Sequence, residues 1–238
     1  MTTTAVPPIA SGSHEGRLER TTARVTGLLY LAMVPTGVVG FLAIRPRLYD
    51  EASAEATLAN LITHETLAQV GIGIELSIVL IQALAALWFF RLFRRVDSFA
   101  AGSIAAFGLV NAVAVMVSAA LLGVALDAAV DPSSVGDAAD VAQLSYSLGG
   151  HLWTVGGLFF GLWLVPMGWC ALRAGFPRLL GWVLIIGGAG YVASTFVSHF
   201  TPSMIADVLV VPATVGELWM IGYLLWAPRR IFSDARAD

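Results

Sequence analysis

The chain alternates between long apolar runs and short polar interruptions, and the length of the runs decides what they mean. A helix needs about 20 mostly apolar residues to cross roughly 30 Å of hydrocarbon. Six stretches are that long, near Ala23 to Ile44, Leu67 to Phe90, Ala100 to Leu126, Leu148 to Leu172, Leu179 to Phe200 and Ala206 to Ala227. The pattern therefore predicts an all-α polytopic membrane bundle of six transmembrane helices over residues 23–227. Residues 1–22 begin MTTTAVPPIASGSHEGRLER, with little to bury, and read as a flexible tail. Residues 228–238 form a second tail. The first apolar run exceeds a signal-peptide core and lacks an Ala-x-Ala site, so it reads as a retained span.

The arginines orient the bundle, because basic residues near span ends resist translocation. With the N-terminus and C-terminus cytoplasmic, the inner segments hold Arg17, Arg20, Arg24, Arg91, Arg94, Arg95, Arg173, Arg178, Arg229, Arg230 and Arg236, leaving only Arg45 and Arg47 outside. The outer loops collect Asp50, Glu51, Glu55, Glu65, Asp127, Asp131, Asp137 and Asp140 instead. This asymmetry requires an even number of spans with both termini inside. The first outer loop contains ASAEATLANLITH, whose apolar spacing fits a short amphipathic helix on the surface. The second, DAAVDPSSVGDAADVAQ, reads as a Pro/Ser/Gly turn whose last part can extend the fourth helix outward.

Composition agrees and removes several chemistries. Of 238 residues, 58% are hydrophobic and 12% charged, with mean hydropathy +0.81, against roughly a quarter charged in soluble domains. The net charge of −3 and the lack of a strongly basic patch argue against nucleic acid as a partner. Every basic residue is Arg, which excludes Schiff-base chemistry on lysine. The lone Cys170 has no disulfide partner within the chain. Membrane lipids are the expected surroundings, with a homodimer as a further option; no cofactor is indicated.

Helices in lipid associate through small residues that permit close approach. Gly157 and Gly161 form G-x-x-x-G in the fourth span, and the fifth carries Gly187-Gly188-Ala189-Gly190 with Ser194 one turn on. Pro35, Pro166 and Pro212 fall inside spans, where each removes a backbone hydrogen bond and bends its helix. Pro212 precedes Glu217 by little more than one turn, so a kink there would open space beside the acid.

Ionisable groups inside the bilayer are the best pointers to function, since each costs at least about 2.5 kcal/mol on insertion scales. Glu217 lies roughly 16 Å and Glu75 roughly 12 Å deep at 1.5 Å per residue. Asn111 is mid-span in the third helix, and His151 and His199 lie toward the outer ends of the fourth and fifth. Tyr146, Tyr191, Thr195 and Trp219 are candidate supporting donors. Glu217, Glu75 and His151 are the candidate proton-transfer residues, with Asn111, His199, Tyr191, Trp219 and Tyr146 as candidate ligand contacts. Three readings follow: a buried site that binds or relays a small or lipid-soluble ligand entering from the outer side; an intramembrane isomerase or cyclase using a buried Glu as general acid on an isoprenoid-like or lipid substrate; and a structural bundle whose acids only bond neighbouring helices. No HExxH or paired-His spacing signals a metal site.

The segments ARVTGLLYL (23–31), HLWTVGGLFFGLW (151–163), RAGFPRLLGWVLIIGGAGY (173–191) and VGELWMIGYLLW (215–226) resemble an uncharacterised bacterial integral-membrane family, domain of unknown function 4386. The resemblance runs from about Ala23 to Trp226 and implies a six-span fold. It implies no reaction, substrate or catalytic residue. His151 and Glu217 fall inside the resembling segments, and Glu75 falls outside them.

Overall fold

A computed structural model of the chain describes residues 11–198, 200 and 203–227. Helix α1 (Ser11–Val38) continues through a π-helical segment (Val39–Ile44) into the short α2 (Arg45–Leu48). After a bend come α3 (Ala54–Thr63), α4 (Glu65–Phe93), α5 (Ser98–Val130), α6 (Ala138–Arg173), α7 (Arg178–Val197) and α8 (Ser203–Trp226). Six stretches are long and apolar enough to span a membrane: Glu19–Leu48, Glu65–Phe93, Ser98–Val130, Ala138–Arg173, Arg178–Val197 and Val208–Trp226. The all-helical six-span architecture is as the hydrophobic pattern predicts. The first boundary differs. Helix α1 starts at Ser11, and Thr22, Ala23 and Thr26 are already buried, because the helix begins well before its apolar stripe. Helix α6 begins at Ala138, with Asp137 as its N-cap accepting from the amides of Ala139 and Asp140.

Each span packs against its neighbours in sequence, and α1 closes on α8. The six therefore form an up-and-down ring, with the start of the first span and the end of the last at the same, arginine-rich end. Buried positions in α4 recur at Ala68, Gly71, Glu75, Ile78, Gln82, Ala85, Phe89 and Leu92. Those in α5 include Ile104, Gly108, Asn111, Val115, Ser118, Leu122 and Ala125. Both alternate steps of three and four, the seven-residue period that winds helices into a left-handed supercoil.

Between α6 and α7 the backbones nearly touch. A Cβ on Gly161 would lie 2.5 Å from the Gly188 carbonyl oxygen, and one on Gly188 would lie 2.7 Å from that of Gly161. Seven residues along, Gly168 and Gly181 repeat this reciprocal approach. At Gly157 an added Cβ would meet Thr195 at 3.4 Å and Tyr191 at 3.9 Å, ordinary contacts, so the tight crossing uses one member of the predicted G-x-x-x-G and a later glycine. Gly187 accepts the backbone of Pro212 and Ala213 directly, so the backbone beside Pro212 is occupied by α7. The turn after α6 uses Gly175 at φ +76°, and the Phe176 amide bonds back to the Ala171 carbonyl at 3.0 Å, the left-handed helix stop that glycine permits.

The predicted amphipathic helix is α3, but it is packed rather than simply laid on the surface. Thr57 and Leu61 are fully buried, and the Thr57 hydroxyl donates to Gln143 Oε1 at 2.7 Å. Gln143 Nε2 in turn donates to the Asp50 carbonyl at 3.0 Å, tying this cap to α6.

Candidate functional site

Near the acidic end, the π-helical segment turns the end of the first span into the bundle and delivers Arg45 between α4 and α6. Arg45 Nη2 donates to the Tyr146 carbonyl at 3.0 Å. Its guanidinium carbon lies 5.3 Å from the Tyr49 ring centre and 5.9 Å from that of Tyr146, rings that themselves stack at 5.5 Å. Such contacts hold a cation by the ring quadrupole. Gly150 makes room: a Cβ there would lie 2.7 Å from Arg45 Nη2.

Glu75 is only 7% exposed. Its Oε1 accepts from the Trp153 indole N–H at 3.2 Å, and Trp153 is held edge-on by Phe41 at 4.5 Å. The Ser118 hydroxyl and the Arg45 charge lie beside the same carboxylate, yet Oε2 completes no hydrogen bond among the described residues. A cavity of about 20 Å³ adjoins it, lined by Glu75, Arg45, Tyr146, Phe41, Ile44 and Leu122 among others. That is room for a water, which needs about 10–15 Å³ on this measure.

Glu217 belongs to a different place, the centre of the ring. The Tyr30 hydroxyl donates to its Oε1 at 2.5 Å. Tyr30, Phe89 and Trp163 meet edge to face, with ring centres 5.3–5.7 Å apart. The Trp163 indole N–H lies beside the Tyr30 hydroxyl without completing a hydrogen bond. Tyr191 lies near Glu217 and stacks on Phe160 at 5.9 Å. All six spans converge here, since a Cβ on Gly108 of α5 would strike Trp163 at 2.8 Å.

The expectation that Glu217, Glu75, Asn111 and His151 face one hollow therefore needs correcting. The two acids have different neighbours, because α4 turns Glu75 toward α5 and α6 whereas α8 turns Glu217 toward α1. Tyr146 lies with Glu75; Tyr191 and the partly buried Trp219 lie in the central cluster with Glu217. Asn111 is buried between α5 and α6, its Oδ1 against Gly156. His151 is exposed, its Nδ1 2.8 Å from the Ser147 carbonyl of its own helix, so it does not point to either acid. Thr195 donates to the Tyr191 carbonyl at 3.0 Å. His199 lies outside the described residues.

Sequence reasoning missed Arg45, Trp153 and Ser118 around Glu75, and Tyr30 and Trp163 around Glu217. The seven-residue spacing of Glu75 with Gln82, Asn111 with Ser118 and Gly149 with Gly156 was the available signal for the first set. Nothing in the linear order pairs Tyr30 with Glu217. Chemically, Glu75 offers one engaged and one free carboxyl oxygen beside a cation and a water-sized space, an arrangement that can accept and release a proton. Among the described residues no three His, Cys, Asp or Glu side chains gather as a metal cage.

No curated protein and no solved structure matches the chain. A family model described as a domain of unknown function, DUF4386, matches residues 25–227, and the chain belongs to that family.

Proposed function

We propose that this is a multi-pass protein of the bacterial cytoplasmic membrane that takes up a proton at Glu75 from its acidic, outer side. The observation that carries the reading is Glu75: its Oε2 is buried and completes no hydrogen bond among the described residues, and the residue lines a cavity of about 20 Å³. A buried polar atom left unpaired costs about 1–3 kcal/mol, so an acid held this way in a membrane span is a functional candidate by default. Arg45, stacked on two tyrosines, keeps a fixed positive charge beside the carboxylate.

The orientation rests on the exposed Arg20, Arg24, Arg91, Arg94, Arg95, Arg173 and Arg178 at one end and the exposed acids of the loops at the other. The enzyme reading, with Glu217 as general acid, has less support: one oxygen of this half-buried carboxyl is already engaged by the Tyr30 hydroxyl.

Infrared difference spectroscopy of the full chain in lipid, between neutral and acidic buffer, tests the reading. A protonated-carboxyl band should appear on acidification, vanish in Glu75→Gln and persist in Glu217→Gln. A spectrum unchanged by Glu75→Gln would overturn it.

A further inference from the structure

Six buried side-chain atoms complete no hydrogen bond among the described residues: Glu75 Oε2, Ser118 Oγ, both amide atoms of Gln82, Asn111 Nδ2 and Trp163 Nε1. They are not scattered. Ser118 lies beside Glu75, which sets the antiparallel register of α4 against α5. Two turns further, about 10 Å at 1.5 Å per residue, that register brings Gln82 of α4 opposite Asn111 of α5, both buried at seam positions. Next along, Ala86 meets Gly108 and Trp163. Helix α6 keeps the same register, with Gly149 against Ser118, Gly156 against Asn111, and Trp163 seven residues later. The Trp163 N–H then reaches the Tyr30 hydroxyl, which donates to Glu217. The unpaired groups thus run in one line from the cavity at Glu75 to the carboxylate at the centre of the ring.

Left dry, buried groups of this kind are costly, because each has given up its hydrogen bonds to solvent without full replacement. Water is the partner small enough to meet them between three packed helices. We propose that this seam is hydrated and joins Glu75 to Glu217 as two stations of one proton path. The proposal rests on proton uptake at Glu75 and adds where the proton goes. The O–H bond on Glu75 breaks, leaving a carboxylate beside Arg45. The proton passes along waters held by Ser118, Gln82 and Asn111 to the Tyr30 hydroxyl, which takes it up as its own O–H breaks and hands that proton to Glu217, where a new O–H bond forms. The amides hold water and carry no proton themselves. The titratable or charged groups facing the two stations are Arg45 and Tyr146 at Glu75, and Tyr30 and Tyr191 at Glu217.

The test uses the full chain in liposomes, with the outer side shifted from neutral to acidic buffer and the protonated-carboxyl bands followed in time by infrared spectroscopy. The part of the signal lost in Glu217→Gln reports the far station, and its rise should slow about tenfold or more in Glu75→Gln and in the double variant Gln82→Met with Asn111→Leu. The double variant replaces unpaired polar groups by apolar ones of similar size, so its thermal unfolding midpoint should be equal to or above that of the parent. That combination, stable but blocked, is not produced by a seam that merely holds the helices together. A Glu75 band that appears normally while the Glu217 signal rises as fast in both variants as in the parent would overturn the path while leaving uptake at Glu75 intact. Loss of that band's Glu75 dependence would overturn the underlying reading instead.

Discussion

At the scale of single residues, the most consequential contact is the one between Tyr30 and Glu217, residues at opposite ends of the chain. Glu217 Oε1 receives its hydrogen bond from a side chain that no neighbouring residue can replace. Tyr30→Phe keeps the ring in its edge-to-face cluster and deletes only the donor. It should lower stability by about 1 kcal/mol, the usual net worth of one hydrogen bond, since Glu217 is only half-buried, measured by unfolding of the detergent-solubilised protein. Combining it with Glu217→Leu should cost less than the two single changes added together, because each removes the same bond. An additive result would show that the bond carries no coupling. The depth of Glu217 in hydrocarbon was legible from its position in an apolar run. Its partner was not, since a tyrosine 187 positions earlier looks from the sequence like any other aromatic of a first span.

At the scale of elements, the helices are held by complementary small surfaces and by their caps. Gly161 and Gly188 sit where each backbone is the other's nearest neighbour, so Gly161→Ala should destabilise by about 1–3 kcal/mol through overpacking. Gly73 is exposed on α4, with nothing within 4 Å of an added Cβ. Gly73→Ala should be neutral or stabilise by up to about 1 kcal/mol. Equal effects at both sites in thermal unfolding would argue against the close crossing. At the arginine-rich end, Asp97 caps α5. The Ala100 amide, the Trp169 indole and the Arg173 guanidinium all bond its carboxylate, at 3.0, 3.2 and 2.8 Å. Chiefly the Ala100 amide, then Trp169 and Arg173, hold its carboxyl below the usual aspartate range. A depressed folded value means the cap's contribution is complete above about pH 4, the ordinary aspartate value, and fades as pH falls through the lower folded one. Asp97→Asn should therefore cost stability at neutral pH and little in strong acid. A variant whose deficit does not shrink on acidification would contradict this. The cap motif was readable from sequence, but the convergence of Trp169 and Arg173 on it depends on how α6 packs against α5.

At the scale of the whole molecule, the ring closes because α1 returns against α8. Gly27 receives Leu224 and Leu225 at 3.0–3.1 Å from where a Cβ would stand, and Gly27→Leu should separate the first and last spans and lower the unfolding midpoint by more than Gly37→Leu, where nothing lies within 4 Å. The distribution of charge gives the orientation its own check. In a Cys170→Ala background, a membrane-impermeant maleimide added to intact cells should label Ser133→Cys in the turn between α5 and α6, and should label Ser98→Cys only after permeabilisation. The reverse pattern would turn the molecule over.

The amino-acid sequence by itself determined the class, the number of spans and the two chemically different ends, because hydrocarbon demands about 20 apolar residues per crossing and arginines resist passage through it. Those are one-dimensional constraints, written in runs and in charge. Which way each helix turns about its axis was decided only by tertiary packing. That rotation separates Glu75 from Glu217, leaves His151 on the outside, inserts Arg45 at Gly150 and aligns Ser118, Gln82 and Asn111 between the acids. In water an amphipathic stripe announces the buried face of a helix. Inside a bilayer both faces are apolar, so the distinction rests on glycine contacts and seven-residue spacing, which only the assembled ring resolves.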